Sequence, residues 1–394
     1  MTPTDEAGVV AAIRDASGPL AIQGHGSKRA MLRPVQAAAT LSTAGLTGVT
    51  FYSPNELVIS ARAGTPVAEL REVVAERGQH LIAEPPELAA LLGSDQPGTI
   101  GGAVATNLSG PRLVAWGAMR DHVMGLRAVN GRGEILRAGG RVLKNVTGLD
   151  LCKLLSGSHG TLAVITEVTL KVLPAPERRA TLVLKGQNPT QAVAALSAAL
   201  GSPYAVSGAA WLPAELAALV PSLGWLGGNV TLARLEDFAP SVAYRGERLR
   251  AELAGFGVVE MLDDAASVAV WTGIGNAAPL VGAPGAIWKI SVRPSQGPAI
   301  VAAMHAIGAT CMLDWGGGLV WVAGPATEAI HRAVELAARA AGGVWTLMRA
   351  PDPLRNAVAV IPPEAPAMAA IGARVKAAFD PRFILNPGRM VAGA

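Results

Sequence analysis

The sequence predicts an α+β protein built from two parts, and three observations support this class. Across the first 176 residues, short β-strand patterns alternate with turns that are rich in glycine. From about residue 177, strand, helix and strand patterns follow one another repeatedly, which is typical of an antiparallel sheet with helices on one side. The chain has 394 residues, of which 51% are hydrophobic and 16% charged, so it can bury a large core.

These patterns divide the chain into three segments. We expect a first domain over residues 1–176 and an α+β cap domain with an antiparallel sheet over residues 177–360. A C-terminal helix and tail over residues 361–394 is expected to return to the first domain.

In the first domain, element boundaries follow from apolar spacing and from residues that begin or end helices. Thr65 can cap a helix that starts at Pro66 and ends before Gly78. Asn130-Gly131 is a strong two-residue turn signal, which predicts a hairpin over residues 123–138. The other predicted elements are a helix over 5–16, strands over 20–23 and 57–61, a short helix over 149–156 and a β-rich run over 161–173.

The cap is predicted as repeated strand–helix–strand units, and a last helix over residues 363–379 leads into the tail. Residues 273–278 match a dinucleotide-binding turn on paper, but Pro279 and Pro284 break the helix that must follow, so we expect a loop. The predicted strands are 181–184, 207–211, 229–235, 258–262, 287–292, 310–314 and 319–322. The predicted helices are 189–200, 240–253, 297–307 and 326–341.

Composition excludes several classes of function. The net charge is +4 and no run of five or six like charges occurs, so nucleic-acid binding is not expected. Cys152 and Cys311 are the two cysteines, too few for a disulfide framework or for the four ligands of an iron–sulfur cluster. The N-terminus lacks a signal-peptide pattern and no apolar run has the length of a membrane span, so a cytoplasmic location is expected, with membrane association only through partners. No metal site is predicted.

Three glycine-rich turns carry the chemistry of the first domain. The first, residues 24–27, follows a strand and exposes several main-chain N–H groups on one side, with a hydroxyl from Ser27, which suits a diphosphate. Taken alone, a loop of this kind is more often an ordinary turn. Two more glycine-rich turns follow, at residues 98–102 and 157–161. Three such turns in one segment are hard to explain as turns alone, so we interpret them as parts of one phosphate-binding site.

Together these turns resemble the vanillyl-alcohol-oxidase-type FAD-binding family, whose fold is shared with p-cresol methylhydroxylase. The family's phosphate loop, its Gly-Thr-Xaa-Gly-Gly turn and its Gly-Ser-Xaa-Gly-Thr-Leu-Gly-Val-Ile-Thr-Glu strand match residues 24–27, 98–102 and 157–167. The resemblance implies a p-cresol methylhydroxylase-type FAD-binding domain of two α+β subdomains. The implied FAD-binding residues are Gly24, His25, Gly26, Ser27, Lys28, Gly98, Thr99, Gly101, Gly102, Asn107, Ser109, Arg120, Asp121, Gly157, Gly160, Thr161, Ile165 and Arg389.

Further motifs are similar to the family of the shorter flavin subunit of bacterial glycolate oxidases, from about residue 18 to 392. They lie at residues 84–86, 108–112, 120–121, 130–134, 144–148, 314–318 and 386–389. This resemblance implies a complex that oxidises glycolate, a small 2-hydroxy acid, to glyoxylate. It also implies two partners, a larger FAD-containing catalytic subunit and an iron–sulfur subunit, to which this chain relays electrons.

Departures from the family pattern limit these expectations. Ser27 stands where covalent members carry the flavin-linked histidine, so non-covalent FAD is expected, and His25 is not given that role. The His-Xaa-Gly-Asp-Gly-Asn-Xaa-His segment of catalytic relatives is missing, so this chain is expected not to perform the hydride step itself. Weak candidates for binding a substrate carboxylate are Arg120, Lys289 and Arg349.

The sequence leaves two alternative functions open. The chain is alternatively a self-sufficient D-lactate or 2-hydroxy-acid dehydrogenase, or a structural subunit whose flavin site has decayed, as substitutions at His25, Leu149 and Ala163 suggest. Four histidines are expected to have no catalytic role. His122 and His159 are expected to be solvent-exposed loop residues, with a flavin-proximal role as the alternative, and His305 and His331 are expected on helix faces.

Overall fold

The computed structural model describes residues 1–140 and 149–393, so the motif at residues 144–148 lies outside the described residues. The described chain forms two compact units. The first contains Met1–Ser109, Ala118–Ala175 and the segment from Pro363 onward, and the second contains Gly110–Gly117 and Pro176–Pro362.

Helices and strands are both abundant in the two units, which confirms the predicted α+β class. The strands are β1 Leu20–Gln23, β2 Ala39–Ser42, β3 Val49–Ser53, β4 Val58–Arg62, β5 Gln79–Leu81, β6 Val123–Asn130, β7 Ile135–Gly139, β8 Ala163–Pro174, β9 Arg178–Lys185, β10 Gly208–Leu212, β11 Val230–Asp237, β12 Val259–Leu262, β13 Ala286–Ser291, β14 Thr310–Asp314, β15 Leu319–Gly324 and β16 Val344–Arg349. The helices are α1 Glu6–Arg14, α2 Val67–Ala75, α3 Ile100–Thr106, α4 Leu113–Trp116, α5 Leu151–Leu155, α6 Pro189–Gly201, α7 Ala214–Ala217, α8 Ala239–Leu253, α9 Asp264–Gly275, α10 Gly297–His305, α11 Glu328–Ala340, α12 Asp352–Ala357 and α13 Pro366–Phe379.

The first unit contains an antiparallel sheet in the order β3-β4-β8-β6-β7, with β5 paired to β8, and a small parallel pair, β1-β2. The predicted hairpin is formed by β6 and β7, but four residues, 131–134, lie between the two strands rather than two. Asn130 N donates to Glu134 O, and Gly133 takes the left-handed conformation with φ 76°. The Asn-Gly signal therefore marked the hairpin correctly and misplaced its turn, because the glycine that bends the chain is Gly133.

The second unit is built on one eight-stranded antiparallel sheet, ordered β12-β9-β11-β10-β14-β15-β13-β16. The strand order reveals two halves of the same topology, each a β-α-β-β-α-β unit. The second strand of each half, β10 and β14, lies at the centre, where Trp211 pairs with Leu313. Two small sheets thereby share one continuous hydrogen-bonded layer.

Two expectations for the cap are wrong. Residues 273–275 are the end of α9 rather than a loop, because Asp263 caps that helix at its start by accepting from Ala266 N at 2.9 Å. The helices do not lie on one side of the sheet. On β9, Leu182 packs with α8, whereas the adjacent Thr181 accepts a hydrogen bond from Trp271 of α9 at 2.9 Å, and neighbouring strand residues face opposite sides.

A buried ion-pair network attaches residues 110–117 to the second unit. Arg112 binds Glu236 with two hydrogen bonds of 2.7 and 2.9 Å, and Arg234 lies 3.3 Å from the same carboxylate. Arg179 reaches it at 3.4 Å and Ser207 donates to it at 2.8 Å. Despite burial, the charges of Arg234 and Arg112 hold the pKa of Glu236 well below its usual range.

We predict that Glu236→Gln destabilises the protein by about 3–5 kcal/mol, because it leaves three buried or half-buried arginine side chains without their shared counter-charge. Urea unfolding followed by circular dichroism measures the change. The control is Asp150→Asn, which removes the exposed Lys153–Asp150 pair and is expected to cost about 1 kcal/mol or less. Equal losses for the two variants would contradict the prediction.

Candidate flavin-binding site

The first glycine turn leaves a row of main-chain donors unused. Gly26 has φ 85°, which turns the chain after β1, and Ser27 is buried. Within residues 1–140 and 149–393, the N–H groups of residues 25–28 have no hydrogen-bond acceptor. Buried main-chain donors without acceptors are rare in proteins, so this row is suited to an anionic ligand.

Lys28 adds a cation to this row of donors. A Cβ built on Gly98 would lie 3.3 Å from Lys28 Nζ, so the ammonium lies against the second turn. Burial lowers the pKa of Lys28, while the nearby carboxylate of Glu87 acts in the opposite direction. The ammonium makes no hydrogen bond within the described part of the chain. A half-buried ammonium with unused donors beside a glycine turn fits a diphosphate group.

The second turn packs directly on the first. A Cβ at Gly24 would lie 2.4 Å from Thr99 Oγ1, and His25 Nδ1 lies 3.2 Å from Pro97 O. Thr99 caps α3 by accepting from Gly102 N at 3.2 Å. Gly101 is equally confined, because a Cβ there would lie 2.6 Å from that of Ala63. Only glycine at position 24 lets the two turns approach this closely, and glycine at position 101 lets α3 pack against Ala63.

The third turn lies along α3. Gly157 N donates to Val104 O at 3.1 Å, and His159 N donates to Ala105 O at 2.8 Å. Gly157 and Gly160 have φ values of 86° and 71°, which glycine adopts without strain. The structure thus brings all three predicted turns together in the first unit.

The C-terminal tail joins the third turn to β1 through one amide side chain. Asn386 Oδ1 accepts from Ile22 N at 2.7 Å, and its Nδ2 donates to Ile22 O at 3.2 Å and to His159 O at 2.8 Å. The tail also extends the small parallel sheet, because Leu385 bridges Leu20. Asn386 therefore fixes the spacing between two of the glycine turns.

Two charged side chains hold the tail and the first loop. Lys376 Nζ donates to the buried Asp380 carboxylate at 2.7 Å, to Thr161 O at 2.7 Å and to Leu385 O at 3.0 Å. Arg389 donates to the carbonyl oxygens of Lys28 at 2.7 Å, Arg33 at 3.0 Å and Arg29 at 3.2 Å. Arg389 consequently brings a guanidinium to the loop that carries the unused donors.

The other predicted FAD-binding residues of the first unit have structural partners. Asn107 Oδ1 accepts from Arg120 N at 2.9 Å, and Ser109 Oγ accepts from Met119 N at 2.8 Å. These bonds join the points where the chain leaves and re-enters the first unit. Asp121 caps Ala118 N at 2.9 Å. The remaining member, Ile165, lies buried in β8. Their contact with FAD stays a prediction.

Two histidines were expected to be solvent-exposed, and that expectation is wrong. His122 is buried in a single 3₁₀ turn before β6. His159 is half-buried with φ 52°, and burial together with the charge of Arg389 lowers its pKa to about 3. Turn patterns in a sequence report polarity but not which loops pack on one another, so they missed this burial.

The two weak carboxylate-binding candidates of the cap lie in the second unit. Burial lowers the pKa of Lys289 to about 8, although Asp314 acts in the opposite direction, and its Nζ lies 4.7 Å from the ring centre of Trp315. Arg349 donates to the carbonyls of Val281, at 3.2 Å, and Ala283. The third candidate, Arg120, has an exposed side chain in the first unit, 3.8 Å from Asp121.

Sequence reasoning missed Glu87. Its Oε2 accepts from Gly98 N at 2.8 Å, and its charge acts on Lys28, so it sets both the second turn and the nearby cation. The preceding Glu84-Pro85-Pro86 motif was noted without a role. Because proline restricts the backbone, this motif was the available signal that the next side chain is held in place.

The comparisons with known proteins show FAD as the cofactor. The family described as "FAD binding domain" matches residues 1–139. Glycolate oxidase subunit GlcE of Escherichia coli K12 is 35% identical over 376 residues, which cover 95% of this chain and 93% of that protein. D-lactate dehydrogenase of Archaeoglobus fulgidus is 36% identical over 141 residues, 36% of this chain and 30% of that protein.

Among solved structures, 4-ethylphenol oxidase from Gulosibacter chungangensis superposes with a TM-score of 0.71 at 14% identity, covering 100% of this chain and 88% of that one. This likeness supports the fold. The fold and the site define an FAD-dependent oxidoreductase with the p-cresol methylhydroxylase-type FAD-binding fold. Because the likeness to GlcE extends over nearly the whole chain, the protein belongs to the GlcE family of glycolate oxidase subunits. None of the helices that the structure describes is long and apolar enough to cross a membrane.

We predict that Lys28→Met raises the dissociation constant for FAD about 10- to 100-fold, since hydrogen bonds to charged groups contribute about 1.5–3 kcal/mol. Quenching of FAD fluorescence on titration with the apoprotein measures this change. Lys28→Arg keeps the charge and is expected to lose less affinity. Unchanged affinity in Lys28→Met would remove this lysine from the site.

We predict that Gly24→Ala weakens FAD binding about tenfold, because the added methyl group forces the first two turns apart. The flavin released per chain after acid precipitation reports the loss. Gly273→Ala in α9 is the matched control, since nothing lies within 4 Å of a Cβ there, and it should retain wild-type flavin. Full flavin content in both variants would show that the turns need not touch.

Proposed function

We propose that this chain is the FAD-binding subunit of a heteromeric complex that oxidises glycolate to glyoxylate. The observation that carries the proposal is the likeness to Escherichia coli GlcE over 95% of the chain. The converging glycine turns supply the physical basis, because they present unused main-chain donors and the Lys28 ammonium to one place.

The chain's own residues account for binding rather than for bond breaking. FAD supplies two-electron redox chemistry when bound. The row of amides at residues 25–28, with Lys28, would hold its diphosphate without a covalent bond. Asn386 and Arg389 would keep the surrounding loops in place. The sequence lacks the histidine segment that would take the hydroxyl proton of a 2-hydroxy acid, so we assign the chain electron relay or support of a catalytic partner.

Two partners follow from this role. The first is a larger FAD-containing subunit that carries the histidine segment and oxidises the acid. The second is an iron–sulfur subunit, since the two cysteines of this chain, both buried and in different units, cannot supply a cluster's usual four ligands. We expect the assembly in the cytoplasm, with any membrane association made through these partners.

A second candidate function is a self-sufficient D-lactate dehydrogenase. It is favoured by the likeness to the Archaeoglobus fulgidus enzyme, which is limited to 141 residues. The missing histidine segment disfavours it, because the residues that would accept the substrate proton are not in the sequence.

The test is purification of the tagged chain from its native host, followed by acid precipitation and dye-linked assays. We expect one FAD per chain in the supernatant, a larger flavoprotein and an iron–sulfur protein in the eluate, and glycolate oxidation by the complex alone.

Each contrary result has a separate meaning. Turnover of D-lactate by the isolated chain would establish the second candidate instead. Flavin retained in the precipitate would overturn non-covalent binding, and a flavin-free chain would indicate a decayed site. A chain that purifies without protein partners would overturn the proposed complex.

A further inference from the structure

Lys289 projects from the middle of β13 onto one face of the eight-stranded sheet. Its neighbour Trp288 points to the other face, where its Nε1 donates to His331 Nδ1 of α11 at 3.1 Å. Since adjacent strand residues face opposite sides, Lys289 lies on the face away from α11. Across β15 its partner is Trp321, and across β16 its partner is Thr346.

The ammonium of Lys289 has unused hydrogen-bonding capacity. Its Nζ lies 4.7 Å from the centre of the Trp315 ring, and it makes no hydrogen bond within residues 1–140 and 149–393. An ammonium has three donors, and a partly buried one ordinarily finds acceptors. Burial lowers the pKa of Lys289 to about 8, and the nearby carboxylate of Asp314 acts in the opposite direction. The site therefore presents a cation whose donors remain available.

The aromatic surface under this ammonium is held in place from two sides. Trp315 has φ 53°, a conformation that a bulky residue adopts only when its surroundings impose it. Its N–H donates to Asp314 Oδ1 at 2.7 Å, and its Nε1 donates to Gly110 O at 3.1 Å. The indole is thus a fixed platform and not a side chain that follows the lysine.

A hydroxyl stands beside the cation. Thr346 is directly opposite Lys289 in the antiparallel pair of β13 and β16, so both side chains are on one face with Cβ atoms about 5 Å apart. The Thr346 hydroxyl makes no hydrogen bond within the described residues. Arg349 lies on the same face, paired with Ile287, and adds to the positive potential.

We propose that Lys289 and Thr346 form a binding site in the second unit for a small 2-hydroxy carboxylate. The ammonium binds the carboxylate above the Trp315 ring, and the Thr346 hydroxyl hydrogen-bonds the hydroxyl group on the adjacent carbon. The choice of a 2-hydroxy acid rests on the proposed function. The inference extends that function, because this subunit then contacts the acid directly although it lacks the histidine segment.

The test measures binding of glycolate and of acetate to the purified FAD-containing chain by isothermal titration calorimetry. We expect Lys289→Met to weaken both ligands at least about tenfold, since both use the carboxylate contact. Thr346→Val should weaken glycolate several-fold and leave acetate unchanged, since acetate has no hydroxyl. That split separates a positioned hydroxyl from a general structural effect.

Matched variants keep the outcome interpretable. Lys185→Met removes another lysine that lies over an indole, 5.3 Å from the Trp225 ring centre, but one already paired with Glu260, and it should bind glycolate normally. Lys289→Arg retains the charge if Lys289→Met does not fold. Wild-type glycolate affinity in a folded Lys289→Met variant, no glycolate binding by the parent chain, or binding of sulfate in place of glycolate would overturn the site. Copurification of the partners does not depend on Lys289, so a failure of the glycolate-binding test would not contradict the proposed function. Conversely, a chain that purifies without partners would not contradict the Lys289 site.

Discussion

The candidate FAD site depends on how closely main-chain segments approach one another. Gly24, Gly101 and Gly160 each occupy a position where a Cβ would meet a neighbouring atom at 2.9 Å or less. The missing side chain lets Gly24 contact the second turn at Thr99, Gly101 pack on Ala63, and Gly160 pack on Asn386 of the tail. The result is a concentration of main-chain N–H groups, an arrangement that binds anions.

Both units leave a lysine without hydrogen-bond acceptors in the described residues, Lys28 in the first and Lys289 in the second. The carboxylate of Glu87 lies near Lys28, and that of Asp314 lies near Lys289. Each carboxylate opposes the lowering of the lysine pKa by burial without forming a hydrogen bond to the ammonium. This arrangement differs from the Glu236 network, where the Arg112 guanidinium donates directly to the carboxylate through two hydrogen bonds. Saturated charges hold an architecture together, whereas unsaturated ones are suited to ligands.

Local signals made much of the fold predictable. Glycine turns, the proline at the start of α2 and the short apolar run of β14 all report chemistry confined to a few neighbouring residues. The predicted cap by Thr65 is wrong, because its hydroxyl accepts from Gly48 N at 2.9 Å and Pro66 occupies the N-cap position of α2. Helix α9 was missed because its apolar residues do not keep to one face, so its sequence has weak periodicity, although Asp263 fixes its start. The three glycine turns were predictable from the sequence. The contacts of Glu87 and the burial of His122 were not, because they arise from packing between segments that are distant in sequence. No pattern along the chain encodes those distances.

The hydrogen bonds of Asn386 have a consequence for biosynthesis. Its amide bonds to Ile22, 364 residues earlier in the chain, and to the turn at His159. The ribosome makes the glycine turns long before it makes the residue that fixes their spacing. During translation the nascent first unit therefore lacks the bonds of Asn386, and we expect the glycine turns to reach their final spacing only after synthesis is complete.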